Sequence, residues 1–162
     1  MPSTVNDDAL IRQLADRTAI LDVVIAYASA LDTKDWTALE SLFTTDATWE
    51  YEAGGERLLG PDAIVAQIAA ALRPLEATQH LCGNHVVRLA GDQAEHSCYF
   101  QAQHVRHDGA TYLGAGRYTD RLCRTPDGWR FTHRRLTSVW SSGDPTVVRG
   151  GQYPGRPATP AR

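Results

Sequence analysis

The spacing of the apolar residues changes at Pro74, and this change constrains the fold more than any other feature of the 162-residue chain. Beyond it, residues 78–89, 93–107, 110–124 and 128–140 form four long segments, rich in β-branched and aromatic residues, with a period of two. Gly91-Asp92, Asp108-Gly109 and Pro126-Asp127-Gly128 separate them, and all three are hairpin-turn sequences. Before Pro74 the pattern is mainly helical. Leu10, Leu14, Ile20, Val24, Ala28 and Leu31 recur close to every 3.6 residues and predict a helix over 8–31. Asp35 stands near the start of a short second helix, 35–43, and a strand is expected over 47–53. Gly54-Gly55-Glu56 is a turn before a short strand, 57–59, and Pro61 takes the favoured first position of a third helix that stops at Pro74. Helices first and a meander after them give an α+β fold, with the helices on one face of a curved antiparallel or mixed sheet.

The length allows one domain with a substantial core and leaves no room for a separate cofactor domain. A net charge of -3 with interspersed signs argues against a nucleic-acid surface or a membrane-binding face. The first residues lack the basic and apolar regions of a signal peptide, and no run is long enough to span a bilayer. Cys82, Cys98 and Cys123 are odd in number, form no CxxC pair and fall in strand segments. They read as small buried apolar residues of a reduced, cytoplasmic protein. After residue 140 the composition shifts to Gly, Pro and Arg. Residues 141–162 are therefore expected to form a tail outside the domain of residues 1–140, burying little apolar area.

Several residues stand out as candidates for chemistry. Asp32 follows Leu31 in the last turn of the first helix, where the helix dipole disfavours an acid. A residue that breaks a local rule invites a functional explanation, although Asp32-Thr33-Lys34-Asp35 is also good turn and capping chemistry. His80 lies near the start of the first long strand, with Thr78, Cys82 and Asn84 on the same face if the alternation holds. A histidine with a pKa of about 6.5 can take a proton at neutral pH, and a carboxylate such as Asp32 would fix its tautomer. Tyr27 and Tyr51 carry phenols that could polarise a substrate carbonyl, or they are ordinary core-edge tyrosines. His104 shares a face with Ala94, His96, Cys98, Phe100 and Ala102 that reads as inward, and a slip of one residue would reverse it. Trp49 is a candidate pocket wall, His133 a core or rim residue, and His85 and His107 are expected on the solvent side. No HxH or HxxxH pair falls on one element, and GxGxxG, Walker and GxSxG sequences are missing, so neither metal nor cofactor is expected.

The pieces Tyr27-x4-Asp32, Asp35-Trp36, Leu42-Phe43-Thr44-x-Asp46-Ala47 and Gly60-Pro61-Asp62-Ala63-Ile64 occur in that order. They are followed by Gln79-His80 with Asn84, then Gly116-Arg117-Tyr118-x-Asp120 and Asp127-Gly128-Trp129. With these pieces, residues 8–140 resemble the SnoaL-like branch of the nuclear transport factor 2 superfamily. The resemblance implies a curved sheet wrapped against helices to make a conical pocket. This fold hosts dehydratases, cyclases, epoxide hydrolases, halide-eliminating enzymes and non-catalytic binders. In the group containing scytalone dehydratase, bile acid 7-alpha-dehydratase and hexachlorocyclohexane dehydrochlorinase, an Asp ending the first helix and a His on this strand form a dyad. Asp32 and His80 match those positions. Tyr27 and Tyr51 match tyrosines of the bile acid enzyme, and His104 resembles a second pocket histidine of scytalone dehydratase. Ala102 stands where the bile acid enzyme has an acid, a departure that tells against that substrate. The family often carries an arginine in its last strand, which implies a structural ion pair for Arg134 or Arg135, with Asp46 or Asp120 as partner. The expectation is a cofactor-independent lyase of the dehydratase type, acting on a small, mostly apolar organic, polyketide-like or steroid-like molecule. An isomerase or cyclase, or a non-catalytic binding or assembly module, is the alternative. A homo-oligomer is expected as well, as a trimer before a dimer.

Overall fold

A computed structural model describes residues 4–52 and 56–148, and among these described residues there are six strands and three α-helices. Helix α1 spans Thr4–Thr33 and α2 Trp36–Ser41, followed by β1 (Phe43–Tyr51), β2 (Arg57–Leu59) and α3 (Pro61–Leu72). The meander comes next, as β3 (Ala77–Ala90), β4 (Gln93–Val105), β5 (Thr111–Thr125) and β6 (Gly128–Gly143). One open sheet results, ordered β2-β1-β6-β5-β4-β3, with α1 packed against β3 and β6 and α3 against β1. All neighbours are antiparallel except β1 and β6, which pair in parallel from Phe43↔Phe131 to Tyr51↔Leu136. The fold is thus mixed α+β. No described helix is long and apolar enough to cross a membrane.

The C-terminal half of α1 is what packs on the sheet, chiefly against β3. Ile20, Val24, Tyr27 and Leu31 are buried, and each such apolar side chain contributes about 1.5–3 kcal/mol. Leu10 and Leu14 were expected on that stripe but are 54% and 55% exposed. A 30-residue helix is about 45 Å long and outruns the sheet. The packed part is anchored by Asp16, which accepts from the Trp129 indole at 3.2 Å and from Arg124 at 2.7 Å.

Helix α2 is shorter than the expected 35–43. Asp35 is its N-cap, accepting from the Ala38 N–H at 2.9 Å, while Phe43 already pairs with β6. Of the turn expected at 54–56, Gly54 and Gly55 lie outside the described residues.

Two departures from simple alternation shape the site. In β3 the register shifts between Gly83 and Val86, around Asn84, whose φ is 55°. The bulge inverts the alternation: Thr78 and His80 point inward before it, and His85 and Val87 after it. His85 is therefore turned into the molecule instead of toward solvent. At the other end, β6 continues to Gly143 and a 3-10 turn covers Pro145–Val147. Val147 and Val148, within the segment expected to bury little apolar area, are both buried. The Asp144 N–H bonds the Thr111 carbonyl, which steers these two valines back onto the sheet. Residues 149–162 lie outside the described residues.

Candidate active site

Asp32 occupies the last turn of α1 just before the helix is closed by a Schellman arrangement. The Asp35 N–H bonds the Ala30 carbonyl at 2.9 Å and the Lys34 N–H bonds that of Leu31 at 3.2 Å. Lys34 takes the left-handed position, with φ 57°, and its ammonium donates to the Leu75 carbonyl. The turn chemistry therefore belongs to Lys34 and Asp35, leaving the Asp32 side chain available to β3. Its Oδ1 accepts from the Thr78 hydroxyl at 2.9 Å and from His80 Nδ1 at 2.7 Å, and its Oδ2 from the His80 backbone N–H at 2.9 Å. Burial pushes the Asp32 carboxyl up, but the bonds from His80 and Thr78 outweigh it and hold the group below its ordinary value. These donors compensate an acid that the helix dipole disfavours.

An ionised Asp32 keeps the proton of neutral His80 on Nδ1, so Nε2 carries the lone pair of a base. The His80 ring meets that of His104 edge-on, with centroids 5.9 Å apart. Both rings line a narrow cleft of about 20 Å³ together with Tyr51, Phe100, Tyr112 and Tyr118. His104 Nδ1 donates to the Tyr112 carbonyl at 3.2 Å. Burial, then the neighbouring His80, lowers its pKa to about 4, so His104 is neutral at pH 7. Tyr51 sits on the opposite wall, its hydroxyl 2.7 Å from Ser138 Oγ, and burial pushes its phenol up.

Tyr27 and Trp49 are not among the residues that line this cleft. Tyr27 precedes Asp32 by five residues, about 140° around the helix, so it faces the core while Asp32 faces β3. Its ring packs edge-on against Phe43, Tyr118 and Phe131, and burial raises its pKa. Trp49 is buried behind Tyr51, 6.5 Å between ring centroids. Tyr112, Tyr118 and Ser138 line the cleft although they were not singled out from the sequence. Positions 112, 114, 116 and 118 share one face of β5, so alternation alone carried a signal for the two tyrosines. Gly116 leaves room there: a Cβ would meet the Thr137 carbonyl oxygen at 2.1 Å and the Phe100 ring at 2.9 Å. That space lets Phe100 stack on Tyr118 at 4.5 Å.

A second Asp–His pair lies deeper. Arg134, fully buried, grips Asp120 with Nε to Oδ1 at 2.8 Å and Nη2 to Oδ2 at 2.9 Å. Its guanidinium lies 4.0, 4.1 and 4.3 Å from the ring centres of Tyr27, Tyr118 and Phe131. Of the two partners expected for this arginine, Asp120 is the one used. Burial would raise the Asp120 pKa, but Arg134 overrides it and keeps the carboxylate ionised. Asp120 Oδ2 also accepts from His96 Nδ1 at 2.7 Å, and His96 Nε2 lies 3.1 Å from His85 Nδ1. Among the described residues, His85, His96 and Cys98 are the one group whose donor atoms cluster as a metal site requires, all within 4.8 Å of one another.

Residues 12–135 match the family model described as a SnoaL-like domain. An uncharacterised protein of Mycobacterium tuberculosis is 31% identical over 132 residues, covering 80% of this chain and 90% of its own. Among solved structures, a candidate aromatic ring hydroxylase from Novosphingobium aromaticivorans is 29% identical with a TM-score of 0.76, covering 83% of this chain and 97% of its own. A candidate scytalone dehydratase from the same organism is 21% identical with a TM-score of 0.75, covering 80% and 88%. A type 2 hexachlorocyclohexane dehydrochlorinase is 20% identical with a TM-score of 0.74, covering 92% and 99%.

Proposed function

The chain belongs to the SnoaL-like domain family, and from that premise we propose that it is a cofactor-independent lyase that dehydrates a small, mostly apolar organic molecule. The observation that carries this reading is the 2.7 Å contact between Asp32 and His80, made by a histidine that lines a largely apolar cleft. His80 Nε2 takes a proton from the carbon beside an activating carbonyl, and the C–H electrons form the new double bond as the C–O bond breaks. Asp32 stabilises the imidazolium formed in that step. The proton then passes from His80 to the departing hydroxide, which leaves as water, so the enzyme returns to its starting state.

Tyr51, on the facing wall, is the phenol assigned to polarise the carbonyl, in place of Tyr27, which is enclosed in the core. Neutral His104 leaves the His80 cation without a charged competitor. The apolar walls strengthen each of these interactions by excluding water. The names of the dehydratase and dehydrochlorinase neighbours are consistent with an elimination, since both reactions begin with loss of a proton.

The test is turnover on a panel of β-hydroxy ketones and polycyclic hydroxylated compounds, with His80→Ala and Asp32→Asn alongside the parent. Full activity in either variant on an accepted compound would refute the dyad. Turnover that requires dioxygen and a reductant would point to the hydroxylation named for one neighbour. A ligand recovered unchanged after long incubation would favour a binding module.

We also propose that the chain is a homo-oligomer, joined through the outer face of the sheet. Leu81, Tyr99, Val139 and Trp140 are exposed there, and Tyr99, Val139 and Trp140 line an apolar groove beside Arg117. Light scattering that returned the 17.8 kDa monomer at micromolar concentration would refute this.

A further inference from the structure

We propose that His85, His96 and Cys98 form a binding site for one borderline-soft divalent transition-metal ion of the zinc class. Their donor atoms, two imidazole nitrogens and a thiol sulfur, lie within 4.8 Å of one another, and the two nitrogens are 3.1 Å apart. Tetrahedral zinc, with bonds of about 2.0–2.3 Å, sets its donors about 3.3–3.7 Å apart. Small side-chain rotations therefore bring all three into the first coordination sphere. The mixture of imidazole and thiolate donors is one that zinc favours over calcium or magnesium.

Three features make this more than a chance meeting of side chains. Asp120 fixes the His96 tautomer: its carboxylate takes the Nδ1 proton at 2.7 Å and leaves the Nε2 lone pair directed at His85. A carboxylate behind a histidine is the usual support of a metal-binding imidazole, and here Arg134 holds that carboxylate in place through two bonds. The bulge at Asn84 aims His85. Without the register shift between Gly83 and Val86, His85 would point away from His80, His96 and Cys98. Finally, the site is enclosed but reachable. His96 and Cys98 are each 2% exposed, while His85 is half-buried and gives an entry path. The thiol of Cys82 contacts that of Cys98. On binding, the Cys98 thiol releases its proton to solvent and coordinates as thiolate.

This site is separate from the Asp32–His80 cleft, and its bound ion would tie the second half of β3 to β4. Tag-free, reduced and chelator-stripped protein titrated with Co²⁺ tests it. We expect a thiolate-to-cobalt absorption band in the near ultraviolet that saturates at one equivalent, is displaced by Zn²⁺ and persists in Cys123→Ser. Cys98→Ser should abolish the band, and His85→Ala should weaken binding by about 10-fold or more. Zn²⁺ should raise the melting temperature of the parent and not that of Cys98→Ser. Should Cys98→Ser fail to fold, the half-buried His85→Ala variant decides the matter. The proposal is overturned if no saturable band forms at one equivalent, if the band survives Cys98→Ser, if it is lost in Cys123→Ser, or if His85→Ala binds as the parent does.

Discussion

The molecule contains two Asp–His pairs with the same 2.7 Å contact between carboxylate and Nδ1, and their surroundings give them opposite characters. Asp32 sits at the end of a helix with its side chain 25% exposed, balanced by a hydroxyl, a backbone N–H and an imidazole, none of which carries a permanent charge. Its histidine lines a cleft. Asp120 is fully buried, is balanced by the permanent cation of Arg134, and its histidine is already in contact with a second imidazole. An Asp–His couple is therefore no signature of a base by itself. What matters is whether the far nitrogen meets a space or another side chain, and whether the acid is held by neutral donors or by a cation.

The widest separation between the pairs should be kinetic. We expect His80→Ala to lower turnover by about 10²–10⁴-fold while the chain still folds, measured as kcat on an accepted substrate and by circular dichroism. Equal loss of folding would make the first pair as structural as the second. On stability the order reverses. Arg134→Met leaves Asp120 buried without its cation and should cost about 3–5 kcal/mol in urea unfolding, against a total of about 5–15 kcal/mol for a typical domain. A loss below about 1 kcal/mol would mean that the second pair is solvated after all.

A smaller effect is expected from His104, which faces the first pair. Folding depresses its pKa from the ordinary 6.5 to about 4, so between those values the unfolded chain holds a proton that the folded chain lacks. Stability should then fall as pH falls from about 6.5 to about 4, at up to about 1.4 kcal/mol per pH unit, with no further loss from this group below. Urea titrations across that range should show a shallower slope in His104→Asn. The smallest effect concerns the bulge that brings His85 to the second pair. Asn84→Gly should change stability by less than about 0.5 kcal/mol, because glycine accepts φ 55°, whereas Asn84→Val should cost about 1–2 kcal/mol. Equal costs for the two would mean that the left-handed backbone at 84 is not what sets the register.

Much of this was legible in the sequence. The change of period at Pro74 gives the α+β class and the four meander strands, because local alternation records which side faces the core. The pairing of Asp32 with His80 was also anticipated, because local signals mark the helix end and the strand start and the family resemblance implies that residues at these two positions pair. Features that depend on distant pairing were not legible. The parallel ladder of β1 on β6 joins residues about 85 positions apart and leaves no local trace, so Phe43 was read as helix. The bulge at Asn84 reversed the side assigned to His85 and hid its grouping with His96 and Cys98, because a one-residue shift inverts every later position. Tyr27 was drawn to the site by its nearness to Asp32 in sequence, where helical rotation sends it to the aromatic box around Arg134. Leu10 and Leu14 continue the apolar stripe of α1 past the end of the sheet, and periodicity cannot show where the partner surface stops.

The parallel ladder has a consequence for how the chain reaches its native state. Strands β3 to β6 can assemble through three tight hairpins, each needing only nearby residues to meet. β1 instead has to find β6 across 85 residues, a slow search because the entropy of closing so large a loop comes before any contact is gained. Tyr51, the wall facing His80 and His104, travels with β1. Recovery of ligand binding after dilution from urea should therefore lag behind recovery of the sheet signal, and the interval between the two measures how long the four-stranded meander waits for β1.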